Sequence, residues 1–168
     1  MSRLDSFIRR LEAQRACLDF SLQNLVPGAV IELGLGNGRS YDHLRERLAG
    51  SGRTIYALDR QLAAHPDCVP AQLILGDFRD TLPRLAARLG RTVAFVHADT
   101  GSGDEAASRA QARGLAGLLD PLLVDGAIVV SDQEMNPKDF SWSSIDLPEG
   151  VPVGRYFIWR RSANHSSA

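Results

Sequence analysis

Glu32-Leu33-Gly34-Leu35-Gly36-Asn37-Gly38 places a carboxylate two residues before three glycines spaced at every second position. An apolar run, Ala29-Val30-Ile31, precedes it, and a helical pattern from about Ser40 to Leu48 follows. Strand, glycine turn and helix in that order make a nucleotide-binding device. Glycines let a ligand approach the main chain closely, and the helix end offers free N–H groups and a positive dipole to an anion. Asp59 stands at the end of a second apolar strand, roughly 20 to 25 residues past the glycine turn, as one intervening helix requires. In Rossmann-like sheets an acid there accepts hydrogen bonds from both ribose hydroxyls. The plainer role for Asp59 is a loop aspartate capping the next helix.

The glycine spacing differs from the dinucleotide fingerprint G-x-G-x-x-G, whose third glycine serves helix–strand packing. It resembles the first motif of the class I S-adenosylmethionine (SAM) methyltransferases, acid-x-G-x-G-x-G. The resemblance implies that Gly34, Gly36 and Gly38 pass the methionine part of SAM. It also implies that Glu32 reaches the SAM amino group, directly or through water. Ser40 either caps the following helix or meets the SAM carboxylate, and Tyr41 is placed to close over the methionine moiety. Gly76-Asp77-Phe78, after a third strand, is similar to the motif in which an aspartate accepts from the adenine amine and an apolar neighbour stacks on the ring. The string Gly-Leu-Gly-Asn-Gly-Arg-Ser-Tyr-Asp-His-Leu-Arg-Glu looks like a small bacterial group of stand-alone SAM methyltransferases. The resemblance spans about Val30 to Val130.

His97-Ala98-Asp99-Thr100-Gly101-Ser102-Gly103 follows a fourth, wholly apolar strand, and Ser131-Asp132-Gln133-Glu134 follows a fifth. Ligands of doubly wound sheets lie beyond the carboxyl ends of the strands, so the loop after the fourth strand is expected to face the transferred methyl group. Methyl transfer from a sulfonium is an in-line displacement that needs alignment above all. A base is required only for a protonated nucleophile. His97 and Asp99 are the catalytic candidates, with Asp132 and Glu134 nearby. Asp99 is also a SAM contact by position. Metal-dependent catechol-type O-methyltransferases carry Asp-Ala-Asp and Asp-Asn where this chain has His97-Ala98-Asp99 and Asp132-Gln133. A Mg²⁺ site prefers oxygen ligands, so no metal is expected.

These residues need a frame, and the hydrophobic periods supply it. Leu4, Phe7, Ile8, Leu11, Leu18, Leu22 and Leu25 predict a covering helix over 4–25, with a weak patch at Gln14-Arg15, stopped by Pro27-Gly28. Strands are predicted at 54–58, 71–75, 93–96, 127–130 and 156–159. Between them lie a helix at Leu82–Leu89 with Pro83 in its first turn and another over 104–119. A short helix after Asp59 is broken by His65-Pro66-Asp67 and Val69-Pro70. Gly114 and Gly117 each weaken the 104–119 helix by about 1 kcal/mol relative to alanine, which predicts close packing there. Phe140, Trp142 and Ile145 predict a lid or a short edge strand. The fold class is α/β: a Rossmann-like class I methyltransferase sandwich, its mostly parallel sheet covered by helices on both faces. One domain over 1–161 and a disordered tail over 162–168 are expected.

Composition narrows the function. The net charge of -1 and a pI near 6.4 predict no nucleic-acid partner and no anionic membrane surface. Only Lys138 among the 19 basic residues is lysine, and the arginines are scattered. Cys17 and Cys68 form no C-x-x-C pattern and predict buried thiols in a reducing compartment. No run reaches the roughly 20 apolar residues of a membrane span, and no export signal opens the chain, so a cytoplasmic location is expected. No Asn/Asp-Pro-Pro-Tyr or Pro-Cys motif of the nucleobase methyltransferases is present. The reading is a SAM-dependent methyltransferase releasing S-adenosyl-L-homocysteine and acting on a small-molecule or protein acceptor. Aromatic residues in the C-terminal third are compatible with a homodimer. Two alternatives are a non-catalytic SAM-binding regulator or partner subunit, and an NAD-binding Rossmann domain.

Overall fold

The computed structural model describes residues 2–61, 68–101 and 104–163. The expected break at His65-Pro66-Asp67, Ser102-Gly103 and the tail from 164 lie outside them.

Helix α1 (Arg3–Ser21) starts in a reciprocal cap: the Ser2 hydroxyl accepts from Asp5 N–H while Asp5 accepts from Ser2 N–H. A 3₁₀ turn at Leu22–Asn24 continues it before Pro27-Gly28. Strands β1 (Ala29–Leu33), β2 (Ile55–Asp59), β3 (Leu73–Leu75), β4 (Val93–Ala98) and β5 (Leu123–Ser131) follow, with helix α2 (Arg39–Arg47) after β1. Helix α3 (Phe78–Leu89) precedes β4, and α4 (Glu105–Leu119) joins β4 to β5. Strands β6 (Trp142–Ile145) and β7 (Phe157–Arg161) end the sheet.

The sheet order is β3-β2-β1-β4-β5-β7-β6. β3 to β5 pair in parallel, whereas β7 runs antiparallel to β5 and β6 antiparallel to β7. A last strand inserted antiparallel beside β5 distinguishes this sheet from an all-parallel dinucleotide fold. β4 is central and every residue of it is buried, as strands covered on both faces should be.

Side chains alternate across each strand, and the two faces have separate cores. Ile31, Leu33 and Val96 pack with Leu82 and Leu85 of α3 and Leu115 of α4. Val30, Phe95 and Ile128 pack with Cys17 and Leu18 of α1 and Leu44 of α2. Each fully buried leucine contributes roughly 1.5–3 kcal/mol.

Several boundaries differ from expectation. α3 begins at Phe78 because Asp77 caps it, accepting from Arg79 N–H at 2.9 Å; Pro83 therefore sits inside the helix rather than in its first turn. β5 starts at Leu123 and runs through Asp125-Gly126, where its register against β4 shifts. A Cβ at Gly114 would meet nothing within 4 Å, so the close packing expected there is absent, whereas Gly117 does face the Phe140 ring. The 140–146 stretch supplies edge strand β6. No described helix is long and apolar enough to cross a membrane.

Candidate cofactor and methyl-transfer site

The parallel register sets Glu32 of β1 directly opposite His97 of β4. Both fall on the sheet face covered by α1, in line with Val30 and Phe95, and neither has exposed surface. His97 Nδ1 lies 2.8 Å from Glu32 Oε2, and Ser40 at the start of α2 donates its hydroxyl to Glu32 Oε1. Burial acts to lower the His97 pKa, but the Glu32 carboxylate, with Asp99 and Asp132 behind it, outweighs burial and raises it. On the far side of the ring, Gln14 of α1 lies 3.5 Å from His97 Nε2 and donates to Asp99 Oδ2 at 2.9 Å. Arg10, one turn earlier, donates to Asp99 Oδ1 at 3.3 Å. A single polar chain thus runs Ser40–Glu32–His97–Gln14–Asp99–Arg10 beneath the loops.

This arrangement bears on two expectations, Glu32 as the contact of the SAM amino group and His97 as a base. His97 is sealed from solvent and bonded to Glu32, so its ring presents no surface to an acceptor in this structure. Glu32 is equally sealed, with both oxygens engaged by protein groups, and does not face the cavity where a cofactor would lie. Asp99 does face it.

That cavity, of about 280 Å³, opens between the glycine turn and the loop after β4, and Gly34, Gly36, Asp59, Asp99, Thr100 and Gly101 line it. A second cavity, of about 410 Å³, shares Arg60, Phe78, Ala107 and Gln111 with the first and reaches Asp77. Together they form a trough from the glycine turn past Asp59 to the N-terminus of α3. Gly34 takes a φ of +84°, and a Cβ there would overlap the Asp99 carbonyl oxygen, so only glycine lets the two loops meet. Asp59 Oδ2 accepts from Gly36 N–H at 2.9 Å, and Oδ1 accepts from Arg60 N–H at 2.6 Å and Gln61 N–H at 3.2 Å. The carboxylate thus fastens the glycine turn and keeps acceptor capacity for a ligand, a carboxylate having about four lone-pair sites.

Gly76, at a φ of +143°, turns the chain between β3 and Asp77. Asp77 caps α3 and pairs with Arg60 at 3.3 Å. The Arg79 N–H hydrogen bond, with the Arg79 and Arg60 guanidiniums, holds its carboxyl below the usual range. Phe78 is buried but lines both cavities. Tyr41 is not part of the trough. It is 2% exposed and lines a separate cavity of about 590 Å³ with Arg45, Val69 and Gln72. Burial, followed by a hydrogen bond with Cys68, pushes its hydroxyl up to about 12. The expected closure of Tyr41 over the methionine moiety is therefore not what this geometry offers. Ser40 serves Glu32 rather than capping α2, whose N-cap is Gly38.

Sequence reasoning missed Arg10, Gln14 and Tyr156. Gln14 sits in the weak patch of the α1 stripe, and that interruption was the available signal. Tyr156, just before β7, is 1% exposed and stacks on His97 with centroids 6.5 Å apart. Its hydroxyl has no hydrogen-bond partner among the described residues. Burial, then Asp99 and Asp132, raises its pKa and keeps the hydroxyl protonated. Asp132 accepts from Thr100 N–H at 3.0 Å and Gly101 N–H at 3.1 Å. Burial and the Asp99 charge raise its pKa. Glu134 is exposed. Among the described residues no three His, Cys, Asp or Glu side chains converge as metal ligands.

The profile of a family described as S-adenosyl-L-methionine methyltransferase matches residues 1–161. The chain belongs to this methyltransferase family. A crystal structure of an S-adenosyl-L-methionine methyl transferase from Silicibacter pomeroyi is 45% identical, with a TM-score of 0.86 over 96% of this chain and 99% of that one. TrmN from Thermus thermophilus (18% identity, TM-score 0.63, 90% of this chain and 48% of that one) shares the fold. So does the antibiotic-resistance methyltransferase Kmr (11% identity, TM-score 0.55, 88% and 93%). Comparison with curated proteins finds no match. Family membership selects the SAM-dependent methyltransferase over the NAD-binding and non-catalytic alternatives. The residues present fit that cofactor: the glycine cradle, the Asp59 acceptor and the Thr100 hydroxyl, buried in the trough wall with no partner among the described residues.

Proposed function

We propose that the trough is the SAM site of this methyltransferase and that Asp99, rather than Glu32, receives the ammonium of the cofactor's amino acid end. The supporting observation is the exposure of Asp99 at the cavity beside Gly34 while Glu32 is sealed by Ser40 and His97. When bound, SAM supplies the methyl group and its own sulfonium leaving group. The chain's residues bind and align. Asp59 accepts from the ribose hydroxyls while holding Gly36; Asp77 and Phe78 border the adenine end; Arg10 and Gln14 fix the Asp99 carboxylate. Such positioning is the main contribution available to a displacement whose leaving group is already activated. Among the sequence candidates, Asp132 and Glu134 are left to accept a proton, and the raised pKa of Asp132 suits it to that exchange better than an ordinary carboxylate.

The acceptor is a small molecule or a protein side chain, and the chain acts as a stand-alone bacterial enzyme. The motif from Gly34 to Glu46 supports that subgroup. The test is transfer of tritium from methyl-labelled SAM to separated small-molecule and protein fractions of a bacterial extract. Label in one fraction, lost with Asp59→Ala, supports the reading; label in neither contradicts turnover on this class of acceptor.

A further inference from the structure

Resting on the methyltransferase reading, we infer that Arg10 is a cofactor-binding residue: its guanidinium takes the α-carboxylate of SAM, and this contact fastens the first half of α1 over the amino acid end of the cofactor. Residues 3–12 of α1 include no buried side chain, and burial begins at Ala13. Leu4, Phe7 and Ile8 in this half are 66%, 43% and 44% exposed. These roughly ten residues rise about 15 Å, and a helix that short is marginal in water without tertiary packing. Apolar burial therefore contributes little to holding it. Its ties to the body are polar and lead to the trough. Arg10 pairs with Asp99 Oδ1 at 3.3 Å, and Gln14, one turn on, donates to Oδ2 at 2.9 Å. Asp99 lines the cavity beside the glycine turn. The Arg10 guanidinium also lies 6.0 Å from the Phe7 ring centre, as does that of Arg39 at the start of α2.

An α-amino acid carries its ammonium and its carboxylate on the same carbon. An ammonium seated at Asp99 therefore brings a carboxylate within reach of the cation already paired with Asp99. Arg10 and Asp99 present, side by side, the two countercharges of a zwitterion. Without that carboxylate, an arriving ammonium shares Asp99 with a like charge; with it, the four groups alternate in sign. A guanidinium stays charged at every working pH and meets a carboxylate through two parallel N–H···O bonds. Gln14 carries no charge and holds Asp99 with or without the ligand. Arg39 approaches the same ring from α2, so Arg10 is the residue of the two that couples the carboxylate to α1.

The probes are S-adenosylhomocysteine, its decarboxylated analogue, which keeps the amine, and 5′-methylthioadenosine, which lacks both groups. Calorimetric titration should show R10Q binding S-adenosylhomocysteine about tenfold or more weaker, the loss expected for one charge-assisted hydrogen bond, with the decarboxylated analogue bound as by the wild type or tighter. Amide exchange over residues 4–12 of the wild type should slow about tenfold with saturating S-adenosylhomocysteine and not with the other two ligands. A merely structural Arg10, which only fixes Asp99, predicts that R10Q weakens both amine-bearing ligands alike, and that result overturns the inference. So does S-adenosylhomocysteine affinity unchanged in R10Q, a selective loss found in R39Q instead, or exchange over 4–12 that S-adenosylhomocysteine does not slow. Failure of the wild type to bind S-adenosylhomocysteine at all overturns the cofactor reading on which the inference rests.

Discussion

Glu32 and His97, one strand apart, meet through a 2.8 Å contact with no exposed surface on either side chain. Removing one member of such a pair strands the other in a low-dielectric interior, at about 3–5 kcal/mol. Glu32→Leu should lower the unfolding temperature by roughly 6–20 °C at 2–4 °C per kcal/mol. Differential scanning calorimetry checks this. A change within the error of the scan means the pair contributes no net stability.

The same pair gives stability a pH dependence of definite sign. His97 is raised above its ordinary value in the folded chain. Its contribution is therefore fully present below the unfolded pKa near 6.5 and is lost as pH rises through the folded pKa. Urea unfolding from about pH 6 to 9 should show wild-type stability falling more steeply than that of His97→Gln. Parallel profiles contradict the assignment.

Asp99 should discriminate the amino acid end of the cofactor from its nucleoside. Loss of a charge-assisted hydrogen bond costs about 1.5–3 kcal/mol. Asp99→Asn should therefore weaken S-adenosylhomocysteine by about tenfold or more and leave 5′-methylthioadenosine, which lacks that end, unchanged. Glu32→Gln serves as the contrast: its side chain is sealed from the cavity and should not discriminate the two ligands. Calorimetric titration of both ligands decides the roles.

The antiparallel edge is fastened by one buried cation. Arg161, 3% exposed, donates to Asp120 Oδ1 at 3.2 Å and also bonds Asp125. Trp142 Nε1 donates to the same Asp120 oxygen at 2.9 Å. Burial acts to raise the Asp120 pKa, but the Trp142, Arg91 and Arg161 contacts lower it overall. Its stabilising contribution is present above the unfolded pKa near 3.9 and is lost as pH falls through the folded value. Asp120→Asn should cost about 3 kcal/mol at neutral pH and less in acid. Hydrogen exchange should accelerate first in β6 and β7.

The glycine turn, the acids closing β1 and β2, and the strand sequence were legible because each is local. A carboxylate two residues before a glycine, or an aspartate ending an apolar run, needs no tertiary information. The Glu32–His97 contact was not legible, because it depends on the register of two strands far apart in the chain. Both residues were singled out separately, and only the pairing shows that they occupy each other instead of the ligand. Asp77 illustrates a different limit. Its place after β3 marked it as an adenine contact, but the same carboxylate also caps α3, and this moved the helix start ahead of Pro83. Gln14 interrupts an apolar stripe, which in sequence looks like a weakness of the helix; in the fold it carries α1 into the site.

The most direct measurement is isothermal titration of SAM, S-adenosylhomocysteine and NAD into the wild type and Asp59→Ala. The trough predicts binding of both SAM compounds, no heat from NAD, and at least about a tenfold loss in Asp59→Ala, which removes the ribose acceptor and releases Gly36. Absence of binding by either SAM compound, or affinity unchanged in Asp59→Ala, contradicts the placement of the cofactor between the glycine turn and the loop after β4.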